Sequence, residues 1–143
     1  MIKLPVDMKP VNDIQPKASL QYSDAGKKTF AIIIDESKDD LNNEETDIDL
    51  SDYFDIAISN LNDMVRNAKV DEPKPLRLTN MNCYRAGFSG MFGKNEIKGK
   101  LATFESSTHF YQISVWTEKS LDQSDEMKDQ ILNSFEEVNI NNR

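Results

Sequence analysis

The chain predicts an α+β domain, a three-layer α/β/α sandwich with a central, mainly antiparallel sheet and helices on both faces. Three observations lead there. The first is a meander over residues 83–117, read as CYRAGFSGMF, EIKGKLATFE and HFYQISVWT and broken at Gly93-Lys94-Asn95 and Ser106-Ser107-Thr108. Both breaks are short and rich in turn residues, so each strand folds back on the one before. The second is an apolar stripe. Leu50, Tyr53, Phe54, Ala57, Ile58, Leu61, Met64, Val65 and Ala68 fall at steps of three and four, which predicts one amphipathic helix of about five turns. The third is the last meander strand. His109, Tyr111, Ile113, Val115 and Thr117 share one side and Phe110, Gln112, Ser114 and Trp116 the other. Large apolar groups on both sides need cover on both faces.

In chain order, Ile2, Leu4 and Val6 alternate with Lys3 and Pro5, and Pro5 restricts this strand to an edge because it has no N–H to donate. Residues 8–17 carry Pro10 and Pro16 and are expected to be irregular. Ala18, Leu20 and Tyr22 alternate with polar residues, a half-buried strand. A turn follows at Asp24-Ala25-Gly26-Lys27, and the β-branched run FAIIID returns as a central strand. Residues 35–52 are expected to be a solvated loop before the long helix, with Ser51 as its N-cap and Asp52 and Asp55 at the positive end of its dipole. Asp71-Glu72-Pro73-Lys74-Pro75 ends the helix as a linker. Leu76, Leu78 and Met81 lead into the meander. A second helix begins near Ser124, with its stripe on Met127, Ile131, Phe135 and Val138, and residues 139–143 form a polar tail.

The 143 residues make one domain, 1–143, long enough to bury a core. The longest apolar run, residues 30–34, is far short of the roughly 20 needed to cross a bilayer. Between residues 35 and 52 nine carboxylates (Asp35, Glu36, Asp39, Asp40, Glu44, Glu45, Asp47, Asp49 and Asp52) face one base, Lys38, which accounts for the whole net charge of −8. Elsewhere acids and bases balance with no basic stripe along the chain, which argues against nucleic acid as a partner.

No stretch carries a catalytic grammar. The acidic segment invites a calcium reading, but a loop counted from Asp35 has Asp40 where glycine is needed and Thr46 where glutamate is needed. His109 is the only histidine and Cys83 the only cysteine, so no disulfide forms within the chain, and metal sites or triads would lack partners. A Cys83–His109 pair is disfavoured because the first and third strands of a meander need not touch. GFSGMFG lacks the phosphate-loop pattern; glycines in strands mark bulges or a large side chain crossing the sheet. The carboxylate pairs Asp39/Asp40 and Glu136/Glu137 face no pocket that would set their roles apart. No catalytic residue, cofactor or metal is therefore expected.

The order of parts, on Ile2-Lys3-Leu4-Pro5, Ala18-Ser19-Leu20-Gln21-Tyr22, Tyr111-Gln112-Ile113 and Ser134-Phe135, resembles the PsbP/Mog1-like superfamily and within it is similar to small, uncharacterised lipoproteins of the bacterial envelope. These pieces are packing signatures, and none is a catalytic motif. The resemblance implies an antiparallel sheet with helices on both faces and an accessory, non-enzymatic role. It implies a bacterial envelope location, lipid-anchored or periplasmic, if an upstream signal was removed; otherwise the expected place is the cytoplasm. A membrane would be reached only through a lipid anchor that this sequence lacks.

Two functions follow as expectations. The first is a protein-binding accessory domain whose patch is Asp39, Asp40, Glu44 and Glu45, suited to a basic protein partner. The alternative is a small-ligand carrier with a pocket between sheet and helix near Tyr111 and Trp116.

Overall fold

The computed structural model describes residues 8–12, 14, 15, 18–23, 29–41, 47–78, 81–119 and 125–135. Its strands are β1 (Lys9–Pro10), β2 (Leu20–Ser23), β3 (Thr29–Ser37), β4 (Arg66–Val70), β5 (Lys74–Leu78), β6 (Met81–Phe92), β7 (Asn95–Glu105) and β8 (His109–Glu118). Its helices are α1 (Lys38–Leu41), α2 (Leu50–Asn62) and α3 (Asp125–Asn133). The strands form one sheet in the order β1-β2-β3-β8-β7-β6-β4, with β5 also on β6, and every pairing is antiparallel.

The meander forms where the alternation placed it. β6 and β7 pair without a break from Asn82↔Glu105 to Phe92↔Asn95. The turn between them, Gly93-Lys94, uses Gly93 at φ +61, a conformation glycine adopts without steric cost. At the opposite end the backbone N–H groups of Thr108 and His109 donate to Ser106 Oγ at 3.3 and 3.0 Å. Gly99 answers the expectation about glycines in strands. A Cβ there would stand 2.5 Å from Phe88 Cζ and 2.6 Å from the Val115 carbonyl, so its absence lets the Phe88 ring cross the sheet.

Alternation along β8 sorts the core onto the two faces. Ile113 and Val115 join Ala31, Ile33, Ala102 and Phe104 against Ile131, Leu132 and Phe135. On the other side Trp116 joins Phe30, Ile32, Ile34, Phe88 and Leu101 against Phe54, Ala57 and Leu61 of α2. Each large apolar side chain withdrawn from water contributes about 1.5–3 kcal/mol. A polar contact also joins α2 to the sheet: Asn60 Nδ2 donates to Gln112 Oε1 at 3.0 Å, and Gln112 Nε2 donates to the Ala57 carbonyl at 3.2 Å, both buried. Pairing removes most of the cost of burying these amides.

Five expectations need correction. The stripe continuing to Ala68 predicts too long a helix, because α2 ends at Asn62 and Arg66–Val70 is a strand. Val65 and Ala68 still pack into the α2 core, so a strand turning back beneath the helix satisfies the same apolar positions. The N-cap is Asp49 rather than Ser51. Asp52 N–H donates to Asp49 Oδ1 at 2.8 Å and Asp49 N–H to Asp52 Oδ2 at 3.1 Å, a reciprocal box. The acidic stretch is not wholly loop, since β3 runs to Ser37 and α1 follows. The linker at 71–75 narrows to residues 71–73, and residues 8–17 include the two-residue β1. The edge strand at 2–6, the turn at 24–27, Ser124, Glu136, Glu137, Val138 and the tail at 139–143 lie outside the described residues.

Candidate functional site

Of the expected acidic patch, Asp39 and Asp40 are described and both are exposed; Glu44 and Glu45 lie outside the described residues. The local chemistry turns these carboxylates outward. Lys38, the only base of the segment, reaches back over the sheet end, 2.8 Å from Glu105 Oε2 and 5.2 Å above the Phe110 ring. Its backbone N–H also donates to the Thr108 carbonyl at 2.9 Å. Anchored so, α1 presents Asp39 and Asp40 to solvent, with exposed Asp47, Asp49 and Asp52 nearby along the chain.

Other carboxylates of the segment have structural work. Ser19 Oγ donates to Asp35 Oδ1. The Tyr53 hydroxyl donates to Glu36 Oε1 at 3.3 Å, and its ring stacks on Phe110 at 4.7 Å. Burial, and next the Glu36 charge, drive the Tyr53 phenol far above its ordinary range. Asp49 and Asp52 are spent on the helix cap. The acidic segment thus combines carboxylates held in structural contacts with exposed ones at its outer rim. Among the described residues no three His, Cys, Asp or Glu side chains gather where a metal ion would fit.

The structure separates Tyr111 from Trp116. Tyr111 packs with Phe135 on the α3 face, their rings 5.0 Å apart. Trp116 is fully buried on the α2 face. An odd sequence spacing within one strand sends side chains to opposite faces, so no single pocket holds both. Trp116 belongs instead to an aromatic group with Phe30, Phe92 and Phe88, at ring distances of 5.5, 5.3 and 6.4 Å. Its indole Nε1 is buried without a hydrogen-bond partner. Beside this group is a cavity of about 310 Å³ lined by Val11, Ile14, Phe30, Phe92, Ile97 and Glu118 among others. It is framed by the β6–β7 turn and the segment before β2 rather than by a helix. The sequence shows Phe30, Phe88, Phe92 and Trp116 but not their meeting, which follows only from Phe30↔Trp116 and Phe88↔Gly99↔Trp116 across the sheet.

Cys83 and His109 do not form a pair. Cys83 is one strand removed from β8, opposite Phe104, which is itself opposite Tyr111; two strand spacings put about 9–10 Å between their backbones. Cys83 is buried, and burial pushes its thiol up to about 11, against a small opposing effect of Arg85. Such a thiol stays protonated and weakly nucleophilic. His109 Nδ1 lies 2.8 Å from Thr108 Oγ1, and its ring stacks with Tyr111.

These features define a mainly antiparallel α+β domain with an acidic rim, an aromatic cavity and a buried, inert thiol. No known family and no curated protein matches the sequence. Solved structures do match. The PsbP of Synechocystis sp. PCC 6803 (CyanoP) superposes with a TM-score of 0.69 at 13% identity, over 94% of this chain and 84% of that one. LpqN of Mycobacterium tuberculosis, involved in cell envelope biogenesis, gives 0.64 at 10% identity over 94% and 80%. PA94 of Pseudomonas aeruginosa, a protein of unknown function, gives 0.56 at 7% identity over 96% and 85%. The chain shares the fold of these solved proteins. At these identities the likeness concerns fold alone.

Proposed function

We propose that the chain is a non-enzymatic accessory domain that binds a protein partner in the bacterial cell envelope, built as a three-layer α/β/α sandwich on a lipid-anchored chain. The observation that carries this reading is the acidic rim. Asp39 and Asp40 stand exposed on a helix whose only lysine is turned inward onto Glu105 and Phe110. A one-signed rim steers a basic surface into contact more than it adds affinity. The fold-mates add weight, because LpqN is involved in cell envelope biogenesis, and the absence of a catalytic grammar in the sequence agrees. The test is capture from native envelope with the full-length protein, against a variant carrying Asp39→Lys, Asp40→Lys, Glu44→Lys and Glu45→Lys. A partner held by the first and lost by the second, with the melting temperature unchanged, is the expected result. Equal capture by both rejects the rim. A lipid probe fed to native cells tests the anchor; an unlabelled product in the cytosol rejects it.

A second reading, a small-ligand carrier, is favoured by the cavity of about 310 Å³ beside Phe30 and Phe92, a size within the range of ligand sites. Trp116 is the only tryptophan and packs on both rings. An apolar ligand in that cavity shifts its emission, and emission unmoved by a panel of apolar probes rejects this reading.

A further inference from the structure

The cavity of about 310 Å³ beside Phe30 and Phe92 is lined by no residue of α2 among the described residues. It lies on the α2 face, where Trp116 and Glu118 stand two residues apart on β8, opposite Phe30 and Ile97. Phe30, Phe92 and Ile97 line it from the sheet, and Val11 and Ile14 from the segment before β2. That segment is tied down by one side chain. The Ile14 and Gln15 N–H groups donate to Gln21 Oε1 at 3.0 and 2.8 Å, and Gln21 Nε2 donates to the Gln15 carbonyl at 2.9 Å. The β6–β7 turn is pinned as well, by Arg66 Nη2 donating to the Gly93 carbonyl at 2.6 Å. Walls fixed by hydrogen bonds of their own cost a ligand little ordering. Two side chains of opposite sign border the cavity, Lys94 at the turn and Glu118 at the end of β8. Lys94 is exposed and Glu118 half-buried. Among the described residues neither is answered: no ion pair joins Lys94 or Glu118 to each other or to another side chain.

We propose that this cavity binds a free α-amino acid with a large apolar side chain. The inference rests on the carrier reading and names its ligand. Such a zwitterion carries an ammonium and a carboxylate at one end and an apolar group at the other. Glu118 accepts from the ammonium and Lys94 donates to the carboxylate, each in a charge-assisted hydrogen bond, while the side chain leaves water against Phe30, Phe92 and Ile97. A purely apolar ligand answers neither charge, and a simple amine or acid answers only one. A volume at the small end of ligand sites suits a single amino acid better than a longer chain. Both charged groups reach solvent, so each adds modestly and the apolar wall supplies the rest of the affinity.

The test titrates the full chain with L-phenylalanine, phenylalaninamide, N-acetylphenylalanine, glycine and toluene. The readout is the emission of Trp116, whose ring lies 5.5 and 5.3 Å from those of Phe30 and Phe92. L-phenylalanine is expected to give a saturable change and glycine none. Removing either charge from the ligand, as in the amide and the N-acetyl compound, weakens binding roughly tenfold. Lys94→Gln weakens L-phenylalanine by a similar factor and leaves phenylalaninamide unaffected. Glu118→Gln weakens it likewise and leaves N-acetylphenylalanine unaffected. Damage to the fold does not mimic that crossed selectivity. Toluene binding as tightly as L-phenylalanine, or affinity for L-phenylalanine indifferent to both substitutions, overturns the proposal and leaves the carrier reading standing. No response to any of the probes overturns both.

Discussion

The two ends of the sheet gather charge by different means. At the Ser37 end, carboxylates crowd into one short segment, and Lys38 is withdrawn onto Glu105 and Phe110. At the Thr29 end, Lys98 and Lys100 of β7 and Lys119 just past β8 meet only because β7 and β8 pair in one register. The acidic end is local and visible in the sequence. The lysine hollow is assembled: side chains from different segments become neighbours when alternate residues of adjacent strands share a face. The comparison teaches that charge runs reveal only the patches built from one segment.

Mutations separate the two ends, beginning with the largest effect. Phe110→Ala removes the ring on which both Tyr53 and Lys38 rest and is expected to cost about 3–5 kcal/mol in urea unfolding. An effect below about 1 kcal/mol would mean that the acidic end is not anchored through Phe110. Gly99→Ala attacks the Thr29 end without altering charge. Its Cβ meets Phe88 and the Val115 carbonyl at 2.5 and 2.6 Å, and backbone cannot yield as a flexible side chain does. A loss of about 2–3 kcal/mol is expected, with a near-neutral result arguing that the ring swings aside.

Alkaline pH acts on the acidic half. The Cys83 thiol, ordinarily near 9.0, is pushed up to about 11 by burial, and the Tyr53 phenol is raised as well. The folded protein therefore keeps protons that the unfolded chain releases. Stability is full below pH 9 and falls as pH rises toward 11, by about 1.4 kcal/mol per pH unit for the Cys83 proton. Cys83→Ala flattens the first part of that decline and Tyr53→Phe the part beginning near about pH 10; profiles unchanged in both variants would refute the assignment. The smallest effect is expected at the rim. Asp39→Lys with Asp40→Lys changes stability by no more than about 0.5 kcal/mol, because both side chains are exposed. A larger change would show that the rim holds the fold rather than a partner.

Much of the fold was legible from residues alone. The strands of the meander, the central strand FAIIID and the start of the long helix follow from alternation, turn residues and an apolar stripe. The end of that helix was not. Met64, Val65 and Ala68 keep the helical spacing, yet pairing with β6 turns Arg66–Val70 into a strand. Asn67 at φ 54 and the register shift between Arg66 and Lys69 mark where the chain adjusts. The site was less legible still. Tyr111 and Trp116 were joined as large aromatics near one another in sequence, although an odd separation on a strand puts them on opposite faces.

The sequence by itself determined the meander strands and their turns, the central strand, the first turns of α2 and where negative charge accumulates, because these depend on neighbours along the chain. Only the tertiary structure decided where α2 stops, which aromatic rings surround Trp116, and that Lys98, Lys100 and Lys119 share a hollow with Asp71. Those outcomes depend on strand register, and register is settled by how distant segments bury their apolar faces together.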